Sequence, residues 1–348
     1  MRFSRICLVL CAAVIGATPA LSAPAARPPY DVGPTAAPQL FAENVVSTED
    51  DEVGATFSPD GTEFYFAKQD QYTNFPHLGL ICVTRFRDGN WSKPEVVPFS
   101  GLYLDATPRL SPDAKVMYFS SNRPVPDSKF RPWRIWMVER QGQGWGEPKP
   151  LPAPVNAPER AWNFGASVTN DGTIYFSSSR AADGHLHIYR SRRVEGKYAE
   201  PEMLGPEINS AFFETDPYVS PDEHLLVFAS AGEGPPGNGD RKETVMGAGV
   251  LYSRGDLYVS VNEHGKWTTA KHLEHGVNTF GDESAPSLTP DGKYLFFTSE
   301  RSIFTIPMRP RVTCAKMEEM LHSALNGHGN VYFISVDALE LANKGGRP

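Results

Sequence analysis

The sequence predicts an all-β protein, a five-bladed β-propeller of four-stranded antiparallel blades. Three observations predict it: a hairpin signature that recurs five times, an aromatic-rich strand after each recurrence, and a final sheet lacking a strand that the chain's beginning can supply. Six blades is the alternative that such a repeat permits.

The signature is an apolar residue, Ser or Thr, usually Pro, then Asp and usually Gly. Its copies are Phe57-Ser58-Pro59-Asp60-Gly61, Leu110-Ser111-Pro112-Asp113-Ala114, Val168-Thr169-Asn170-Asp171-Gly172, Val219-Ser220-Pro221-Asp222-Glu223 and Leu288-Thr289-Pro290-Asp291-Gly292. The Asp residues are spaced by 53, 58, 51 and 69 positions, a period near 53 with loop insertions. Pro presets φ, Asp caps the turn and Gly accepts a positive φ, so the signature reads as a hairpin. Ala114, Glu223 and Asn170 depart from it and predict looser turns in those blades.

After each turn a strand carries Phe66, Phe119, Phe176, Phe228 or Phe297. Third strands follow, such as Ile135 to Val138 and Leu257 to Ser260. Gly-rich turns bearing Trp91, Trp145, Tyr198 and Trp267 come next, and last strands begin near Pro94, Pro148, Pro201 and Ala270. Four strands in roughly 50 residues is the arithmetic of a propeller blade. The fifth copy stops at its third strand, Val331 to Ile334, while Pro38-Gln39-Leu40-Phe41 resembles a fourth strand. The N-terminal strand is therefore expected to close the ring, removing exposed sheet edges.

The Ser-Pro-Asp-Gly hairpin, Tyr118 to Arg123 (Tyr-Phe-Ser-Ser-Asn-Arg) and Asp256-Leu257-Tyr258 resemble the TolB-like, or WD40-like, propeller repeat of exported bacterial proteins, over roughly residues 40 to 340. Members of that family include periplasmic scaffolds and propeller domains attached to serine peptidases. The resemblance implies a fold and is nearly silent on function.

Arg2 and Arg5, an apolar run from Ile6 to Ala17 and small residues to Ala23 give the order of a secretory signal. The run is too short for a bilayer, which takes roughly 20 residues. The expected organisation is a signal at 1–23, a flexible leader at 24–37, one propeller at 38–340 and a tail at 341–348, in a periplasmic or secreted protein with no membrane span after cleavage. Cys82 and Cys314 read as two buried free thiols. No Cys/His spacing suggests zinc, so no metal or cofactor is expected. With 33 basic and 41 acidic residues and a formal charge of −8, nucleic-acid binding is excluded. Oligomeric state is not fixed by the sequence.

Aligning the copies places Glu52, Asp105, Asn163, Glu214 and Glu283 in equivalent positions near the start of each first strand. Arg123, Arg180 and Arg301 fall on the same face, with Asp70 and Gly232 in their place in blades one and four. Such recurrence reads as Arg–carboxylate pairs between neighbouring blades, or as a charged rim able to hold a ligand. Trp133 belongs to a long second-to-third-strand connection. Insertions also run from Gly232 to Arg254 and from Ser302 to Gly329, the latter with a helix expected over Ala315 to Leu325 after Thr313. Trp162 either faces the mouth or packs between blades.

No Gly-x-Ser-x-Gly elbow and no phosphate-cradling loop occurs. A glycosidase needs two carboxylates about 5 Å or 6.5–9.5 Å apart, and Asp105, Glu214, Asp216, Asp282 and Glu283 are the candidates. Repeat-equivalent carboxylates look alike, whereas catalytic ones need unlike surroundings. The preferred expectation is thus a non-enzymatic binding or scaffold module for an envelope protein or glycan, with a glycoside hydrolase as the alternative.

Overall fold

The Ser/Thr-x-Asp turns set the register of every blade. In blade one, Ser58 donates its hydroxyl to Asp60 Oδ1 at 2.6 Å, and the Thr62 N–H donates to the same oxygen at 3.1 Å. Ala114 and Glu223 adopt positive φ, 53° and 59°, where the other copies have Gly. Their N–H groups still close the turn, on Ser111 O at 2.8 Å and Ser220 O at 2.9 Å. The turns expected to be looser are the same turn, held by its side-chain bonds at the cost of some backbone strain.

A computed structural model of the chain describes residues 28–70, 78–125, 128–231, 255–303 and 310–339. It is a five-bladed propeller. Blade one pairs Asp51–Phe57, Glu63–Gln69, Gly79–Arg87 and Glu95–Val96 in that order, all antiparallel. Blades two, three and four repeat the pattern from Asp105–Leu110, Asn163–Val168 and Phe213–Val219. Blade five takes Glu283–Leu288, Tyr294–Ser299 and Asn330–Ser335 from the end of the chain and Gln39–Leu40 from its beginning. Leu40 sits opposite Tyr332, and the Phe41 N–H donates to Val331 O at 2.9 Å. The ring closes as expected, and six blades are excluded.

The core lies between blades. Phe66, Phe119, Phe176, Phe228 and Phe297 are all buried. Tyr65, Ile81 and Val83 of blade one pack with Met117 and Phe119 of blade two, and each neighbouring pair has such a cluster. Three asparagines stitch the blades further. Asn156, Asn209 and Asn278 each accept the N–H of a third-strand residue and donate back to that residue's carbonyl. In the stretch read as a leader, Tyr30 packs on Phe57 with ring centroids 4.9 Å apart, and Thr35 bonds to Ser335.

The helix in blade five spans Cys314–Leu321, capped by Thr313, which accepts the Lys316 N–H at 3.2 Å. It ends four residues earlier than Leu325. Cys82 and Cys314 are free thiols; Cys82 is buried but Cys314 is exposed, a correction to the expectation that both are buried. Burial raises the Cys82 thiol to about 11. The signal, the tail and the Gly232–Arg254 insertion lie outside the described residues, among which no helix is long and apolar enough to cross a membrane.

Candidate functional site

First strands line the propeller axis, and consecutive residues of a strand face opposite ways. Five sets of repeat-equivalent residues can therefore be followed down the axis. Asp51, Leu104, Trp162, Phe213 and Asp282 ring the upper wall of a cavity of about 830 Å³. Val53, Ala106, Phe164, Thr215 and Ser284 ring it below them. Glu52, Asp105, Asn163, Glu214 and Glu283 fall between these two sets in sequence, and all five are wholly buried.

The expected rim is thus corrected by one residue. Its members point away from the axis, into their own blades. Asp105 accepts Ser121 Oγ at 2.6 Å, Ser100 Oγ at 2.7 Å and Arg123 Nη2 at 2.8 Å. Glu283 accepts Ser299 Oγ and Thr279 Oγ1, both at 2.6 Å. Asn163 Oδ1 accepts Ser178 Oγ at 2.7 Å and Arg180 Nη2 at 3.0 Å. The pairs lie within a blade rather than between neighbours. The arginines reach onward to the preceding connection: Arg180 to Val155 O at 2.6 Å, Arg301 to Val277 O at 2.8 Å, and Arg123 to Phe99 O. Blades one and four lack the Arg. Lys68 of blade one lies 3.4 Å from Glu52, whereas Glu214 of blade four is met across the blade boundary by His187 of blade three, its Nδ1 at 3.3 Å. Burial still raises Glu52 to about 7, and hydrogen bonds to Glu214 and Asp183 hold His187 above its ordinary value. These residues hold the blades together.

One level below the upper rings, every first strand breaks register in a bulge. The bulge residue has positive φ in each blade: Gly54, Thr107, Gly165, Asp216 and Ala285. Asp216 departs most from its repeat. At φ 50° it occupies a strained conformation where two blades use Gly, and it puts a carboxyl into the cavity. Its Oδ1 is buried without a hydrogen-bond partner. Burial and the nearby Asp282 charge raise its carboxyl to about 6, against the pull of Arg109. Asp282 Oδ1 accepts the Gly255 N–H. Asp51, whose carboxyl is also raised by burial, accepts Gly329 N–H at 2.8 Å and Gln69 Nε2 at 3.1 Å.

Below Asp216, Thr56, Arg109, Ser167, Tyr218 and Ser287 are equivalent, and Arg109 fills the axis. It donates to Ala55 O at 3.0 Å and Pro286 O at 2.8 Å, and lies 5.4 Å from the Tyr218 ring centroid. One side chain of blade two thereby touches blades one, four and five.

The cavity wall is divided. Asp51 and Asp282 stand on the adjacent blades one and five, while Leu104, Trp162 and Phe213 line blades two to four. Trp133 and Arg160 add to the wall, the latter stacked 4.1 Å from the Phe130 ring centroid. Trp162 faces the mouth and is 49% exposed. Of the carboxylates named from sequence, Asp216 and Asp282 reach the cavity, while Asp105, Glu214 and Glu283 do not. Asp51, Phe213 and Arg109 were not singled out. For Phe213 and Arg109 the signal was a residue type that one blade has and its repeats lack; Asp51 shares its type with Asp282. Among the described residues no group of three or more His, Cys, Asp or Glu is placed to hold a metal ion.

No family model matches the sequence, and no curated protein does. Similar solved structures are propellers. An arabinanase of Bacillus subtilis is 9% identical over 85% of this chain and 96% of its own, with a TM-score of 0.47. An α-L-arabinofuranosidase from Lactobacillus brevis is 14% identical over 83% and 91%, with a TM-score of 0.46. A puromycin-hydrolysing peptidase of Mycobacterium tuberculosis is 13% identical over 80% of this chain and 41% of its own, with a TM-score of 0.37. These likenesses concern the fold. The expectation of a non-enzymatic scaffold that engages its partner through a charged rim is corrected: the charged groups it assigned to partner contact are buried bracing.

Proposed function

We propose that the chain is a glycoside hydrolase acting in the axial cavity. The observation that carries this reading is Asp216, a carboxyl raised to about 6 in the floor of a cavity of about 830 Å³. Its neighbour Asp282 accepts a backbone N–H, so the two acids sit in unlike surroundings, as an acid and its ionised partner must. Protonated Asp216 gives its proton to the glycosidic oxygen as the bond to the anomeric carbon breaks. Ionised Asp282 supports the positive charge that develops on the sugar and takes a proton from the water that adds. The Trp162 and Phe213 rings offer an apolar wall to the sugar's C–H face, and the Asp51 side meets its hydroxyls.

The test is product release. Purified protein should liberate reducing sugar from at least one member of a glycan panel that includes arabinan, and Asp216→Asn should abolish the release. A panel left wholly uncleaved rejects the reading. We further infer kinship with the TolB-like repeat, supported by five in-register hairpins, and export to the periplasm or medium, supported by the N-terminal signal pattern.

A further inference from the structure

Asp216 and Arg109 are each the charged exception in their ring of five, and the two rings are successive levels of one axis. Gly54, Thr107, Gly165 and Ala285 show that the upper position needs no charge for the fold. Thr56, Ser167, Tyr218 and Ser287 show the same for the lower. Two exceptions of opposite sign, stacked on the axis beneath a cavity, mark a functional pair. We propose that Arg109 is a positioning residue for Asp216, keeping that carboxyl able to exchange its proton at the cavity floor by acting from one level below.

The geometry fixes Arg109 for this task. Both terminal nitrogens are bound to carbonyls of other blades, at 3.0 Å and 2.8 Å, so the guanidinium cannot swing up to pair with the carboxyl. Its Nε is buried without a partner, and the side chain is largely enclosed. Bridging two carbonyls needs only a neutral amide, and a buried cation is costly unless a charge answers it. Burial, against the pull of Asp216, lowers Arg109 to about 10, so it stays cationic at neutral pH.

The groups acting on Asp216 are Asp282, from blade five, and Arg109, from blade two, beside a hydrogen bond from Thr215. Burial and Asp282 favour the protonated form, and Arg109 opposes both. Without Arg109 the carboxyl would hold its proton to higher pH. With it, the group sits where a proton is given and regained. This inference rests on the role given to Asp216 above.

The test uses Arg109→Gln, which keeps donors for both carbonyls, and Arg109→Met as a second variant. The Asp216 carboxyl is followed by carbon NMR in aspartate-labelled protein, with Asp216→Asn to assign the signal. In either folded variant the Asp216 midpoint should rise by about one pH unit, a tenfold change in proton affinity. Arg109→Lys should restore it. A midpoint unchanged in a variant of native melting temperature overturns the proposal. Should the midpoint move while no glycan is cleaved, the hydrolase reading falls and this inference stands. Hydrolysis with an unmoved midpoint gives the reverse.

Discussion

Asp51 and Glu52 are consecutive in the first strand and serve opposite sides of it. Asp51 lines the axial cavity, whereas Glu52 is wholly buried and accepts the Thr48 N–H at 3.0 Å. The same division holds in every blade, and it separates the residues that line the cavity from those that brace the ring.

The bracing layer predicts a stability effect. Asp105→Ala leaves Arg123 buried without its carboxylate, and breaking a buried pair from one side costs about 3–5 kcal/mol. Urea unfolding should show that loss. A change below about 1 kcal/mol would mean that the pair is idle.

Asp216 predicts the opposite profile. Asp216→Asn removes a strained, poorly solvated acid, so the melting temperature should hold or rise while kcat falls by about 10²–10⁴. Equal loss of folding and activity would make Asp216 a structural residue.

The direction of pH dependence follows from the raised groups. Asp216 and Glu52 hold protons in the folded state up to about 6 and about 7, above their ordinary carboxylate values of 3.8 and 4.5. A raised folded value gives stability that is fully present below the unfolded value and is lost as pH rises through the folded one. His187, also raised, acts in the same direction above its ordinary 6.5. Melting temperature should therefore fall between pH 5 and pH 8, and the double variant Glu52→Gln, Asp216→Asn should flatten much of that slope. A steeper slope in the double variant contradicts the assignment.

Trp162 predicts a binding effect with little structural cost. Being 49% exposed at the mouth, Trp162→Ala should raise KM about tenfold, about 1.4 kcal/mol, at unchanged melting temperature. An unchanged KM places the substrate elsewhere.

Ring closure is tested at Phe41. The ring is buried and meets Phe64 at 4.8 Å and Phe296 at 5.1 Å between centroids, joining the first and last blades. Phe41→Ala should cost about 3–5 kcal/mol. Limited proteolysis should then cut first near residues 38–47, as the closing strand detaches.

By itself the sequence determined the number of blades, the hairpins that begin them and the strand that closes the ring. Each rests on local turn chemistry or on a strand's missing partner, and both survive as a repeated pattern of residue types. Tertiary structure alone decided which side of the first strand looks into the cavity. A strand alternates with period two, so recurrence at Glu52, Asp105, Asn163, Glu214 and Glu283 marked an important position without saying which way it pointed. The bulge at Gly54, Thr107, Gly165, Asp216 and Ala285 then resets the alternation, which no count along the chain reveals. Recurrence selects what every blade needs, and so it led to the braces. The charged exceptions, Asp216 and Arg109, occur once each, and only the folded ring stacks them on one axis.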